Sequence, residues 1–185
     1  MNQAWGEDLD LAEEELEASE QLVDIDFDSF YRRELPAIAA LLYALTGSAW
    51  AAEDLAADAF TIAFRHWPRI AGYERPGAFV RRVAINLARS RHKRLVVEAR
   101  ALGRLALGRQ PTVEPLEAPD AAFWAQVRRL PGRQLEVVVL RYVEDLSVEA
   151  ISEVLDCSPA TVRVHLHRAR TELARRLGAD WGPSR

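Results

Sequence analysis

Apolar residues recur at intervals of three and four from Asp26 to Leu177, and no stretch shows the alternation of period two that a half-buried strand requires. The pattern predicts helices throughout. Phe30, Leu35 and the run Ile38–Leu45 form the apolar side of a first helix, which Thr46-Gly47-Ser48 ends. Trp50 to Trp67 forms a second, with Pro68 after it. The Gly and Pro content of AGYERPG predicts a loop, and Ala78 to about Arg94 a third helix. The early part of Leu95–Pro119 is compatible with helix, while Pro111, Pro115 and Pro119 make its later part a linker. Four further helices are expected at Ala121–Leu130, Arg133–Tyr142, Val148–Leu155 and Pro159–Leu177. The expected fold is therefore all-α, with two small helical domains joined by a flexible linker. The boundaries read as a disordered N-terminal extension (1–25), a first domain (26–95), the linker (96–119), a second domain (120–178) and a C-terminal tail (179–185).

Charge changes the picture. The net charge is −4, but residues 1–30 hold 11 acids and no Lys or Arg, whereas residues 65–109 hold 12 bases and 2 acids. So basic a segment in an acidic chain suggests a polyanionic partner. The acidic extension reads as a solvated tail able to fold back on that segment and compete with the partner. No apolar run approaches the roughly 18 residues that span a bilayer, and the N-terminus has no signal-peptide pattern. One cysteine fits a reducing compartment. These features predict a cytoplasmic protein with no membrane insertion.

The second domain carries the sharpest motif. In DLSVEAISEVLDCSPATVRVHLHRAR, Ser147 is placed to cap a short helix whose apolar face is Val148, Ile151 and Leu155. Asp156-Cys157 makes a turn, Ser158 caps the next helix, and Pro159 takes its first position, where a missing N–H costs nothing. Val162, Leu166, Ala169 and Leu173 form the buried stripe. Ala160, Thr161, Arg163, Val164, His167, Arg168 and Arg170 then face outward, the layout of a helix-turn-helix that reads a major groove. His165 and His167 stand two apart and point away from each other, with no second Cys or acidic cluster to complete a metal site. No metal, cofactor or catalytic residue is expected, for the chain has no nucleophile–base pair and no Gly-rich phosphate loop.

In the first domain two stripes stand out. Asp54, Asp58, Thr61 and Arg65 fall on one face of the second helix, and Phe60, Phe64 and Trp67 widen its apolar surface, either as core or as a docking face for another protein. On the third helix, Arg82, Asn86, Arg89 and Lys93 align at four, three and four, with cations for phosphate and an amide for a base edge. Tyr73, in the preceding loop, can stack on an unpaired base.

AEDLAADAF, RRVAINLARSRHKR and LPGRQLEVVVLRYVEDLSVEAISEVLDCSPATVRVHLHRAR, in this order and spacing, resemble the extracytoplasmic-function (ECF) sigma factors of bacterial RNA polymerase, in the sigma-70 superfamily. The resemblance covers about Phe27 to Leu177. It implies an initiation factor that binds core polymerase, recognises −10 and −35 promoter elements and promotes −10 melting. The implied polymerase contacts are the clamp of the largest subunit, through Asp54, Asp58 and Phe60, and the flap of the second-largest. It implies −10 capture by the loop Gly72–Gly77, with Tyr73, and by the stripe Arg82, Asn86, Arg89 and Lys93. It implies −35 reading by Ser158, Ala160, Thr161, Arg163, Val164, His167 and Arg168, with Arg141 reaching across from the preceding helix. An anti-sigma partner is common in the family. The chain departs from the family pattern at Ala57, where Gln is usual, at Pro159-Ala160, where the second residue is usually Gly, and in the shortness of AGYERPG. The competing function is a stand-alone helix-turn-helix regulator that binds DNA without polymerase.

Overall fold

A computed structural model describes residues 27–103 and 121–177. The acidic extension, the later part of the linker and the C-terminal tail lie outside the described residues. Within them the chain forms eight helices and no strand: α1 (27–46), α2 (Ala49–Arg65), α3 (Trp67–Ile70), α4 (Pro76–Gly103), α5 (Ala121–Val127), α6 (Gly132–Tyr142), α7 (Val148–Leu155) and α8 (Pro159–Leu177).

Local chemistry sets the breaks. Gly47 sits at φ +73°, a left-handed turn that closes α1 with its N–H on the Tyr43 carbonyl at 2.7 Å. Ser48 then caps α2, its hydroxyl accepting from the Ala51 N–H at 3.3 Å. The second helix ends at Arg65 and restarts at Trp67, with His66 closing one and opening the other. Pro68 allows this because the first-turn N–H groups of a helix have no partner to lose. The next helix, α4, runs through Gly103 and does not end near Arg94. Between Gly77 and Gly103 there is no Gly or Pro to stop it, and Arg, Leu, Glu and Ala favour helix. By contrast α5 ends early, at Val127, and a tight turn carries the chain to Pro131. Both helices of the predicted helix-turn-helix match their expected ends.

Most of the core is one continuous cluster. In the N-terminal half it is aromatic: Phe30 packs tilted against Trp67 with ring centroids 4.7 Å apart, and Tyr31 meets Phe60 edge-on at 4.8 Å. Val80, Ala84, Ile85 and Ala88 of α4 continue it, and Val154 and Leu155 of α7 join it from the C-terminal half. A smaller core of Val127, Leu130, Val138, Ala169 and Leu173 fastens α5, α6 and α8 together. The two halves thus pack against each other, with α4 lying along α7.

Candidate nucleic-acid interface

The α7–turn–α8 unit is built as its sequence requires. Ser147 accepts from the Ala150 N–H at 3.1 Å and Ser158 from the Thr161 N–H at 3.1 Å, so both helices are capped. Asp156 makes the turn between them at φ 54°, a conformation Asp tolerates because its short polar side chain bonds locally. Val162, Leu166, Ala169 and Leu173 are buried. Ala160, Thr161, Arg163, Val164, His167 and Arg168 are all exposed on α8, and Ser158, also exposed, caps it. His165 is half-buried, and its Nδ1 has no hydrogen-bond partner among the described residues. The two histidines therefore face different surroundings.

An open groove of about 430 Å³ runs between the C-terminal end of α6, the start of α7 and the outer face of α8. Arg141, Arg163, His167 and Arg170 line it. Arg141 is held by the Leu146 carbonyl at 2.9 Å, and Arg163 by Glu149 at 3.1 Å. Arg170 donates to the Tyr142 hydroxyl at 2.8 Å. Sequence reasoning placed Arg170 outward but missed its partner Tyr142 and the Glu149 counter-charge. The spacing Arg163, His167, Arg170 is the signal that could have marked the groove.

The stripe on α4 is drawn into the contact between the halves. Arg89 makes a two-pronged ion pair with Glu136 of α6, and Arg82 donates to the carbonyls of Glu153 and Val154 at the C-terminal end of α7. Asn86 accepts from Arg89 at 3.2 Å, and Lys93 stands exposed. Beside the stripe, Arg81 bridges Glu34 at 2.8 Å and Glu144 at 2.6 Å. The Glu144 side chain is 2% exposed, and burial pushes its carboxyl up against the pull of Arg81. Burial alone would lower the Arg81 guanidinium, but the two carboxylates outweigh it and hold its pKa above the usual value. Gly77 leaves room for this bridge, since a Cβ there would meet Arg81 at 2.7 Å and Glu34 at 2.9 Å. Tyr73 is exposed in the loop before α4, and Arg75 next to it pairs with Glu153 at 3.0 Å.

On α2, Asp54, Asp58, Thr61 and Arg65 form the exposed stripe. Phe60 does not join it. It is 3% exposed, locked against Tyr31 and Phe30, because its position between Ala59 and Thr61 turns it into the aromatic core. The exposed aromatic rings of α2 are Phe64, 48% exposed, and Trp50, 67% exposed with the Arg91 guanidinium 5.2 Å above its ring.

Comparison with known proteins fits this layout. Family models for "Sigma-70 region 2" and "Sigma-70, region 4" match residues 30–96 and 120–173. An RNA polymerase sigma-E factor of Streptomyces antibioticus is 30% identical over 126 residues, 68% of this chain and 70% of the relative. The chain belongs to the sigma-70 family. Within it, this sigma factor is of the ECF group, and such factors direct RNA polymerase to promoters. The ECF RNA polymerase sigma factor SigW of Bacillus subtilis is 27% identical over 175 residues, 87% of this chain and 89% of that one. A probable RNA polymerase sigma factor, RfaY, of Xanthomonas campestris is 31% identical over 153 residues. That match covers 76% of this chain and 37% of the longer RfaY. Among solved structures, the fold resembles the sigma factor RpoE of Bartonella quintana, determined in complex with the anti-sigma factor NepR. The TM-score is 0.66 at 21% identity, over 84% of this chain and 99% of RpoE. No helix among the described residues is long and apolar enough to cross a membrane.

Proposed function

We propose that this sigma factor works as two modules, one over about residues 26–95 and one over about 120–178, each reading one promoter element. The observation that carries this is the capped, exposed face of α8 above a groove with Arg141, Arg163, His167 and Arg170 at its walls. In this reading α8 lies in the major groove of the −35 duplex. Ser158, Ala160 and Thr161 allow close approach, Arg163 donates to a base edge, Val164 meets a thymine methyl, and His167, Arg168 and Arg141 hold the backbone. The α4 stripe of Arg82, Asn86, Arg89 and Lys93, with Tyr73, takes the melted −10 strand by charge and stacking. Asp54 and Asp58 on α2 dock on the clamp of the polymerase largest subunit, with Phe60 supporting that face from within. The second module docks on the flap of the second-largest subunit.

The factor carries out no bond-making chemistry and needs no cofactor. It acts in the cytoplasm, and an anti-sigma protein is its negative regulator, as the solved complex of RpoE with NepR suggests by likeness. In vitro transcription with core polymerase over a pool of candidate promoters tests the reading, and promoter-dependent transcripts are expected. The absence of any such transcript would refute it. Duplex binding that persists while core polymerase fails to be retained would instead identify a stand-alone regulator.

A further inference from the structure

We infer that the junction of α4, α6 and α7 holds a binding site for a compact polyphosphate, either free or as the diphosphate group of a nucleotide. An open pocket of about 230 Å³ lies there. Its polar lining is Arg82, Asn86 and Arg89 of α4, Arg133 of α6 and Asp156 after α7. A drug-sized ligand fills roughly 300–1,000 Å³, so this pocket suits something smaller. Three guanidiniums around so small a space call for an anion. They face two carboxylates, Asp156 in the lining and the buried Glu136 outside it, so one positive charge is left over.

The cations are fixed in place by their other contacts. Arg89 rests on both oxygens of Glu136, Arg82 on the carbonyls of Glu153 and Val154, and Arg133 on the Leu155 carbonyl at 3.4 Å. A ligand therefore spends little on ordering them. Donors remain for it. Nη1 of Arg82, Nε and Nη2 of Arg133 and the Asn86 amide nitrogen meet no acceptor among the described residues. An Arg fork takes phosphate oxygens two at a time. Forks offered from both halves of the chain suit two linked phosphate groups better than one. Arg82, Asn86 and Arg89 also belong to the −10 stripe proposed above, and on that reading an occupied pocket competes with the strand. Arg133 and Asp156 lie outside the proposed DNA contacts, so they separate the two roles.

The test titrates the full chain with sodium pyrophosphate by calorimetry, with ionic strength held constant by NaCl. Three variants are compared: Arg133→Gln, Asp156→Asn and the charge-matched control Arg129→Gln, an exposed position that does not line the pocket. Saturable binding is expected for the unaltered chain and the control. Arg133→Gln should weaken it about tenfold or more, the value of a hydrogen bond to a charged group. Asp156→Asn should tighten it by up to about fivefold, because it removes a repulsive charge and Asn tolerates the left-handed turn at φ 54°. The opposite signs separate a binding role from a folding defect, which would weaken both. No saturable binding would overturn the inference, as would equal affinity in all three variants. Sulfate that binds as tightly as pyrophosphate would reduce the site to an adventitious ion only and overturn it too. ADP identifies the source: affinity equal to pyrophosphate means that the diphosphate group alone is read, and higher affinity means a nucleotide. Displacement of a fluorescent oligo(dT) by pyrophosphate is expected at the same concentrations. Binding of pyrophosphate with the oligonucleotide undisturbed would leave the site standing and refute the reading of the α4 stripe.

Discussion

Arg163 offers the sharpest test of how α8 meets DNA. In the free chain its guanidinium is paired with Glu149 at 3.1 Å, with side chains 61% and 62% exposed. An ion pair so exposed is worth about 0.2–1 kcal/mol. A bidentate contact to a guanine edge discriminates by about 1–3 kcal/mol. DNA therefore outcompetes Glu149, and Arg163→Ala should lower affinity for the preferred −35 duplex by about 5- to 150-fold. The opposite change is expected from Glu149→Gln, which frees Arg163 without touching DNA. Affinity should rise by at most about fivefold, the value of the pair that no longer has to be broken. The assay is selection of promoter fragments randomised across the −35 region by holoenzyme reconstituted from core polymerase. Arg163→Ala should relax preference at one base pair and leave the others as they were. An unchanged selection profile would refute the placement of Arg163 at a base edge. A uniform loss across all sequences would show that it holds only phosphate.

Three further outcomes follow from the packing and the charges. Gly47→Ala should cost about 1–2 kcal/mol of stability for the left-handed backbone alone; its new Cβ would also lie 2.8 Å from the Arg128 Nε, and an unshifted urea midpoint would contradict the account. Phe60→Ala should cost about 3–5 kcal/mol in urea unfolding because the ring is core, and intact stability with lost polymerase binding would instead make Phe60 a direct contact. The Glu172 carboxyl, hydrogen-bonded by Arg175 and Arg176, is held down to about 2. Its contribution to α8 is thus fully present above the ordinary carboxylate range and lost as pH falls through about 2, and a carboxyl NMR midpoint near 4 would refute this.

Local signals were legible in the sequence, and contacts between distant residues were not. Ser147, Ser158 and Pro159 mark the ends of α7 and α8 through capping chemistry that involves only neighbours three residues away. The outward set on α8 follows from its buried stripe. Phe60 was left open between core and docking face because an apolar ring at a stripe's edge looks the same whether it meets solvent or a neighbouring helix. Its partners Phe30 and Tyr31 belong to α1. The partnering of Arg82 and Arg89 was hidden for the same reason: the groups they meet lie 47 or more positions away. A basic stripe reads alike whether its anions come from DNA or from the same chain. The length of α4 was underestimated because a helix with no stop signal continues as far as its propensity carries it.

The contact of Arg82 with α7 has a consequence for how this protein can change over generations. Its acceptors are main-chain carbonyls of Glu153 and Val154, which every amino acid supplies. Substitutions at those two positions leave the acceptors in place, whereas replacing Arg82 by a residue without a side-chain donor removes the contact. The Glu136 and Glu144 contacts, built from side chains, have no such protection. Mutation can therefore alter the contact between the halves through the two glutamates one residue at a time, while the Arg82 contact persists as long as α7 ends where it does.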